Sequence, residues 1–370
     1  MGKEAGHSGR NEFHRMFYDA LWERSELYRK TGQRELAERD LDLCYEKALK
    51  TGDRTYMAWG YIILSNRMYM DMEHCGAYEK YIHKALDILR RGGDRALLRH
   101  CYNNLANIMG YTGRFREAMP FYLKALKVCR KCGLDEEIPM LYNNMGILCL
   151  QMDDADKAEE YLEKAIALSR TKKDLYIEAF ALIYLSIAGL KTGRYGRALA
   201  YAQRSLEINE KILHAGKIAQ CLNIIGHIYQ LKNEHEKALP YFMRAYRINS
   251  GILNYYDQAT NLINAGNSFI ELDRALSALK IEEEIIRACS KAASIPLLID
   301  GYCLLGNAYW TMRNKSRKGQ NPSSAEERGK KAMALFNKAS ALARKKGLPL
   351  PEIATARIRE IKENEKAGKK

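Results

Sequence analysis

A forty-residue internal period constrains this chain more than any single motif does. The stretch YNNLANIMGYTGRFREAMPFYLKAL (residues 102–126) recurs as YNNMGILCLQMDDADKAEEYLEKAI (142–166). Small residues hold the register at Ala106, Gly146, Ser186, Gly226, Gly266 and Gly306. Twelve positions after the first five stand Ala118, Ala158, Ala198, Ala238 and Ala278, and seven further on Ala125, Ala165, Ser205 and Ala245. Six units carry this register. Two more are traced backwards on weaker marks, Ser25, Ala37 and Cys44 in one, Asn66, Tyr78 and Ala85 in the other.

A small residue followed twelve positions later by Ala has a physical reason if each unit is two antiparallel helices joined by a short turn. The two positions then face each other, and only Gly, Ala or Ser lets the helix axes approach to about 8–10 Å. Large apolar residues four before and three after the small position, such as Tyr102 and Met109 or Leu262 and Phe269, form the i, i+4, i+7 stripe of a buried helix face. Thr112-Gly113-Arg114, Met152-Asp153-Asp154 and Thr192-Gly193-Arg194 supply the turns.

The small residue, the aromatic three later and the two downstream alanines resemble the tetratricopeptide repeat over about residues 14–345. Asn-Asn-Leu-Ala followed by Gly-Arg-Phe-Arg-Glu-Ala-Met-Pro (103–120) is similar to the long-repeat subclass of kinesin light chains and spindle-orientation adaptors, with Pro120 and Pro240 expected near the start of second helices. The resemblance implies an all-α fold, an α-solenoid in a right-handed superhelix of about eight hairpins with a C-terminal capping helix. The expected organisation is a disordered tail at 1–13, two degenerate hairpins at 14–90, six repeats at 91–345 with a basic insertion at 313–331, and a capping helix and basic tail at 346–370. In the insertion, Ser323 or Ser324 with Glu326 and Glu327 reads as a capping box that restarts a helix.

Asparagine is a poor interior helix residue, because its amide competes for backbone partners, yet Asn103, Asn104 and Asn107 cluster in one helix. Positions three and two before the small residue, one after, and four or five after are expected to line an inner wall. They hold Asn103, Asn104, Asn107 and Tyr111, then Asn143, Asn144 and Gln151, then Asn223 and His227, then Asn264 and Asn267, then Asn307 with Trp310. A carboxamide donates and accepts at once, so a ladder of them can hold an extended peptide backbone without reading its side chains. The unit between breaks the ladder with Tyr184 and Ile187 which, with Phe180, make a candidate pocket for an apolar or aromatic anchor. In the family resembled, Asn at positions equivalent to Asn104, Asn144 and Asn264 contacts bound peptide. The alternative is that these amides bridge neighbouring repeats.

The formal net charge is +15, but residues 313–370 hold seventeen Lys and Arg against six Asp and Glu, so the rest of the chain is nearly neutral. That basic region could attract an acidic partner; without aromatic interleaving or a recognisable motif, nucleic acid is not expected. No apolar run reaches the eighteen or so residues that span a bilayer, and a cytoplasmic location is expected. Nine Cys without regular spacing suggest reduced thiols, and no metal or other cofactor is expected. No phosphate loop, HExxH, GxSxG or carboxylate pair appears, so the expectation is a non-catalytic adaptor that binds an extended peptide or partner segment. Two alternatives stand beside it: a peptide-responsive regulator resembling bacterial pheromone sensors, whose amino-terminal effector would be a helical bundle within the first ninety residues, and a subunit scaffold in a larger assembly.

Overall fold

The computed structural model describes residues 33–50, 52–66, 75–91, 94–318 and 322–367, with positions 16, 17, 20, 21, 23–25, 27 and 28. The tail expected at 1–13 lies outside them. Among the described residues every regular element is helical, and helices pair in tandem hairpins. The chain divides into two compact units, residues 1–212 and 213–370.

In the first unit α1 (Arg34–Lys50) packs on α2 (Arg54–Ser65), which pairs with α3 (Cys75–Arg90). The hairpins α4–α5 (Leu97–Tyr111, Phe115–Cys132), α6–α7 (Ile138–Gln151, Ala155–Lys172) and α8–α9 (Leu175–Lys191, Tyr195–Lys211) follow. The second unit holds α10–α11 (Ala215–Leu231, His235–Gly251), then α12 (Tyr255–Glu271) with a second arm broken at Ile281 into α13 (Ala275–Lys280) and α14 (Glu282–Lys291). Its last hairpin is α15–α16 (Ile295–Lys318, Pro322–Lys346). On this hairpin α17 (Glu352–Ala367) buries Ala354 and Ile361 against Trp310 and Phe336.

The small-residue register is visible as steric necessity. A Cβ on Gly146 would stand 2.6 Å from Leu162 Cγ and 3.2 Å from the Ala158 carbonyl oxygen, and one on Gly226 would stand 2.7 Å from the Phe242 ring. Ser186 turns its hydroxyl into the same gap and donates to the Ala198 carbonyl at 2.8 Å. Ala37, Cys44, Tyr78 and Ala85 are buried too, so the weakly marked hairpins keep the register.

Turns repeat as strictly as cores. A left-handed residue stands every twenty positions at 113, 133, 153, 173, 193, 213, 233, 253, 273 and 293, only three of them Gly. Asp154, Asp174 and Asn254 cap the following helices through their side-chain oxygens, each accepting from a backbone N–H at 3.0–3.2 Å.

Two local expectations are corrected. The stretch 313–331 is not a loop joining two helices of ordinary length. In α4–α5 the first helix ends five residues after Ala106 and the second begins three before Ala118; in α15–α16 these distances are twelve and ten. Each arm has gained seven residues, close to two full turns, so both buried stripes keep their direction. Ser323 and Ser324 consequently sit inside the first turn of α16, after Pro322, rather than at a cap. Pro120 and Pro240 lie at the sixth position of α5 and α11, past the first turn. Each removes one helical N–H, and both occupy the exposed side, where water can take up the freed carbonyl.

Candidate functional site

Buried, half-buried and exposed fates separate the ladder residues. In the first unit Asn104 and Asn143 are buried, Asn103, Asn107 and Asn144 are half-buried, and Tyr111 and Gln151 are exposed. The amides of α2, α4 and α6 join head to tail. Asn143 Nδ2 donates to Asn144 Oδ1 at 3.5 Å, Asn144 Nδ2 to Asn103 Oδ1 at 3.0 Å, and Asn103 Nδ2 to Asn104 Oδ1 at 3.3 Å. Asn104 Nδ2 then donates to Asn66 Oδ1 at 2.7 Å and to Ser65 Oγ at 2.9 Å. Asn107 Oδ1 accepts from the Tyr122 hydroxyl of its own hairpin.

Three adjacent hairpins are thus tied by one polarised chain, in which each bond reinforces the next. A carboxamide has two N–H donors and two acceptor lone pairs, and the chain uses one donor and one lone pair on Asn103 and on Asn144. Both keep capacity toward the open side. At the far end Asn143 Oδ1 is buried without a partner.

Beyond it α8 has no amide at the matching positions, where Ile183 is fully buried and Tyr184 half-buried. Tyr176, Phe180 and Tyr184 stand one turn apart on a single stripe, with ring centroids 6.0 Å and then 5.2 Å apart, the second pair edge to face. Ile187 continues the stripe, half-buried. Burial pushes the Tyr184 phenol up to about 12, with Tyr111 and Tyr176 adding to the rise. Two lysines, one at the end of α8 and one at the end of α7, are paired elsewhere: Lys191 with Asp153 and the Leu150 carbonyl, and Lys172 with Glu136 at 2.7 Å.

In the second unit Asn223 donates to Asn261 Oδ1, whose own amide donates to the Asp257 carbonyl at 2.7 Å. Gln230 Nε2 donates to the Asn264 carbonyl at 2.8 Å and to Ser268 Oγ at 2.9 Å. His227 and Asn267 are exposed, while Asn223 and Asn264 are half-buried and Asn264 Nδ2 lacks a partner. Dehydration by surrounding protein lowers the His227 pKa although its surface is open, as expected of a recessed side chain. Dehydration also raises the carboxyls of Asp257 and Asp300 on α12 and α15.

Asn104, Asn143 and Asn307 therefore differ from the expected wall residues. Asn104 is consumed by α2, Asn143 is fully enclosed, and Asn307 is buried and accepts from Arg357 Nε of α17 at 3.1 Å. Trp310 is buried as well. Tyr176 was missed in the sequence, although its four-residue spacing from Phe180 was there to be read; Asn66 stands at the small-residue position of its unit and was read only as a packing mark, while Ser65 and Asn261 lie one and five places before that position, outside those assigned to the wall.

Three tetratricopeptide-repeat family models match residues 98–131, 137–211 and 219–251. The chain carries tetratricopeptide repeats in these stretches. Among curated relatives, response regulator aspartate phosphatase A of Bacillus subtilis (strain 168) is 23% identical to this repeat protein over 124 residues, 34% of this chain and 32% of that one. Regulatory protein AfsR of Streptomyces griseus is 25% identical over 174 residues, 45% of this chain and 18% of that one. The chain thus spans about a third of the first relative's length and less than a fifth of the second's. A crystal structure of a Rap protein complexed with competence and sporulation factor shares the fold at a TM-score of 0.60 and 11% identity, covering 90% of this chain and 99% of that chain. Among the described residues no helix is long and apolar enough to cross a membrane.

Proposed function

We propose that this repeat protein is a non-catalytic binding module that captures an extended peptide or a partner's segment along its first helices. The carrying observation is the half-buried aromatic stripe Tyr176–Phe180–Tyr184, whose Tyr184 stands in the register where the preceding hairpins carry Asn104 and Asn144. The amides of Asn103 and Asn144, with a spare donor and acceptor, suit a peptide backbone, and an aromatic surface suits an apolar or aromatic side chain at one position. Asn107, Tyr111, Gln151 and Ile187 complete the reading in the first unit; Asn223, His227, Asn264 and Asn267 do so in the second.

A second reading, a peptide-responsive regulator, is favoured by the fold shared with the Rap protein across 90% of this chain. The two readings share a ligand class and differ in what binding does. A labelled peptide library is titrated against wild type, Tyr184→Ala and the pair Asn103→Ala/Asn144→Ala. The proposal expects enrichment of aromatic-containing peptides by wild type and weakened binding by both variants; equal binding by all three overturns it. Small-angle scattering with a selected peptide then separates the readings, since a regulator compacts and a passive adaptor does not.

A further inference from the structure

Net charge draws the eye to residues 313–370, where several cations are held internally while Arg344, Lys345, Lys346 and Arg359 stay exposed. Lys315 pairs with Asp273 at 2.7 Å, Lys330 with Glu326 at 2.6 Å, Lys331 with Glu327 at 3.0 Å and Arg357 with Glu360 at 2.8 Å. Arg313 lies 4.0 Å above the Trp310 ring. Helix α5 is different. Its exposed side carries Arg116, Lys124, Lys127, Arg130 and Lys131 against a single carboxylate, Glu117, which Arg114 already holds at 2.8 Å. Among the described residues none of those five cations has a carboxylate at ion-pairing distance.

Lys124 is fixed over two rings, 4.6 Å from Phe121 and 5.9 Å from Tyr102, and Arg130 donates to the Tyr142 hydroxyl at 3.1 Å. Beside Lys124, and one turn before Lys127, Leu123 is 49% exposed. The lysine clamp recurs at Lys84 and Lys164, each over two tyrosine rings, but Lys164 is paired with Glu160. On α7 the positions matching Arg116, Pro120, Leu123 and Lys127 hold Asp156, Glu160, Glu163 and Ala167.

We propose that the exposed side of α5 is a second docking surface, separate from the peptide-binding stripe, for an acidic polypeptide segment that places an apolar side chain on Leu123 and carboxylates on Lys124, Lys127 and Lys131. Charge complementarity sets the sign of the partner, and the pre-positioned Lys124 ammonium lowers the ordering cost of binding it. Nucleic acid fits less well, because the Tyr102 and Phe121 rings are tilted 38° against one another with Lys124 over both, rather than set out as parallel platforms for successive bases. A membrane surface fits less well, because one leucine is not an insertion face.

The test is fluorescence anisotropy of the full chain with a labelled peptide of Asp and Glu interspersed with Leu, run beside a single-stranded oligonucleotide and phosphatidylserine vesicles. Wild type should bind the acidic peptide with an affinity that falls with added salt. Reversal of Lys124, Lys127 and Lys131 to Glu should cost at least about tenfold, with binding regained by a Lys-and-Leu peptide, which controls for misfolding. Leu123→Ser should cost less, and Lys330→Glu/Lys331→Glu should cost nothing. No binding by wild type at low salt, equal binding by the reversed variant, or tighter binding of oligonucleotide or vesicles would overturn the proposal. Tyr184→Ala should leave this binding intact, so failure here and failure of the peptide-binding stripe are distinguishable.

Discussion

The same rows of sequence have opposite fates in the two units. In the first, amides from three hairpins close into one chain from Asn143 to Asn66 and give way to the rings of Tyr176, Phe180 and Tyr184. In the second, His227 and Asn267 stay open although Asn223 and Gln230 bond to Asn261 and Asn264, and the carboxyls of Asp257 and Asp300 are dehydrated. Carboxamides at equivalent positions therefore do not share a role. At Asn103 and Asn144 of neighbouring hairpins the amides bond to each other and fix the junction, whereas Asn267 and Asn307, one repeat apart, do not, and Asn307 accepts from Arg357 instead. Where the neighbour supplies Ile or His, the surface is left for something else.

The sharpest way to break this contrast is at the rings. Tyr184→Ala removes a dehydrated phenol from the aromatic stripe and should weaken a selected aromatic peptide by about 2–3 kcal/mol, the scale of an interface hot spot. His227→Ala should cost a few-fold at most. Calorimetric titration of both variants checks this, and an equal loss would remove the distinction between the two surfaces.

The next effect is on stability. Asn104→Ala leaves Asn66 Oδ1 and Ser65 Oγ buried without their donor and should cost about 2–3 kcal/mol in chemical denaturation. Asn143→Leu is the opposite case: it discards an acceptor that has no partner and only a 3.5 Å bond, and should be neutral or slightly stabilising. If both substitutions cost the same, the chain of amides is not a directional network. Gly226→Ala, in the other unit, probes packing instead of polarity. Its new Cβ would press on the Phe242 ring at 2.7–2.9 Å, and overpacking of this kind costs about 1–3 kcal/mol. Phe242→Leu in the same chain should relieve part of that cost, read as a non-additive double-mutant cycle.

How much of this could be read beforehand follows from the physics of each feature. The register at 106, 146, 186, 226, 266 and 306 was legible because close helix approach excludes large residues there. The arms of α15–α16 were not, because Arg, Lys, Gln and Glu suit an exposed helix as well as a loop, and a seven-residue extension of each arm preserves the buried stripes. The division of labour among amides was also hidden. Asn103 and Asn104 differ by one position, about 100° around the helix, and only the neighbouring helix decides which one is enclosed. Lys124 and Leu123 were passed over for a related reason, since charge was summed along the chain, and pairing across space is what leaves a cation available.

The smallest effect separates the units by the sign of their response to acid. His100 in α4 packs on Trp59 at a ring distance of 5.0 Å, and burial followed by the adjacent Arg99 guanidinium holds its pKa well below the ordinary 6.5. A depressed histidine contributes stability that is complete above 6.5 and is lost as pH falls toward its folded value, because the unfolded chain binds the proton first. Asp257 and Asp300 run the other way. Burial raises both above the ordinary 3.8, so their contribution is complete below 3.8 and is lost as pH rises through the folded value. Between pH 7 and 5 the first unit should therefore lose hydrogen-exchange protection, and His100→Phe, which keeps the packing on Trp59, should flatten that loss. The second unit should gain protection as pH drops toward 4, less whatever the similarly depressed His227 subtracts below 6.5, and Asp300→Asn should remove part of the gain. Matching acid responses in the two units, unchanged by His100→Phe and Asp300→Asn, would show that these dehydrated groups do not govern the difference.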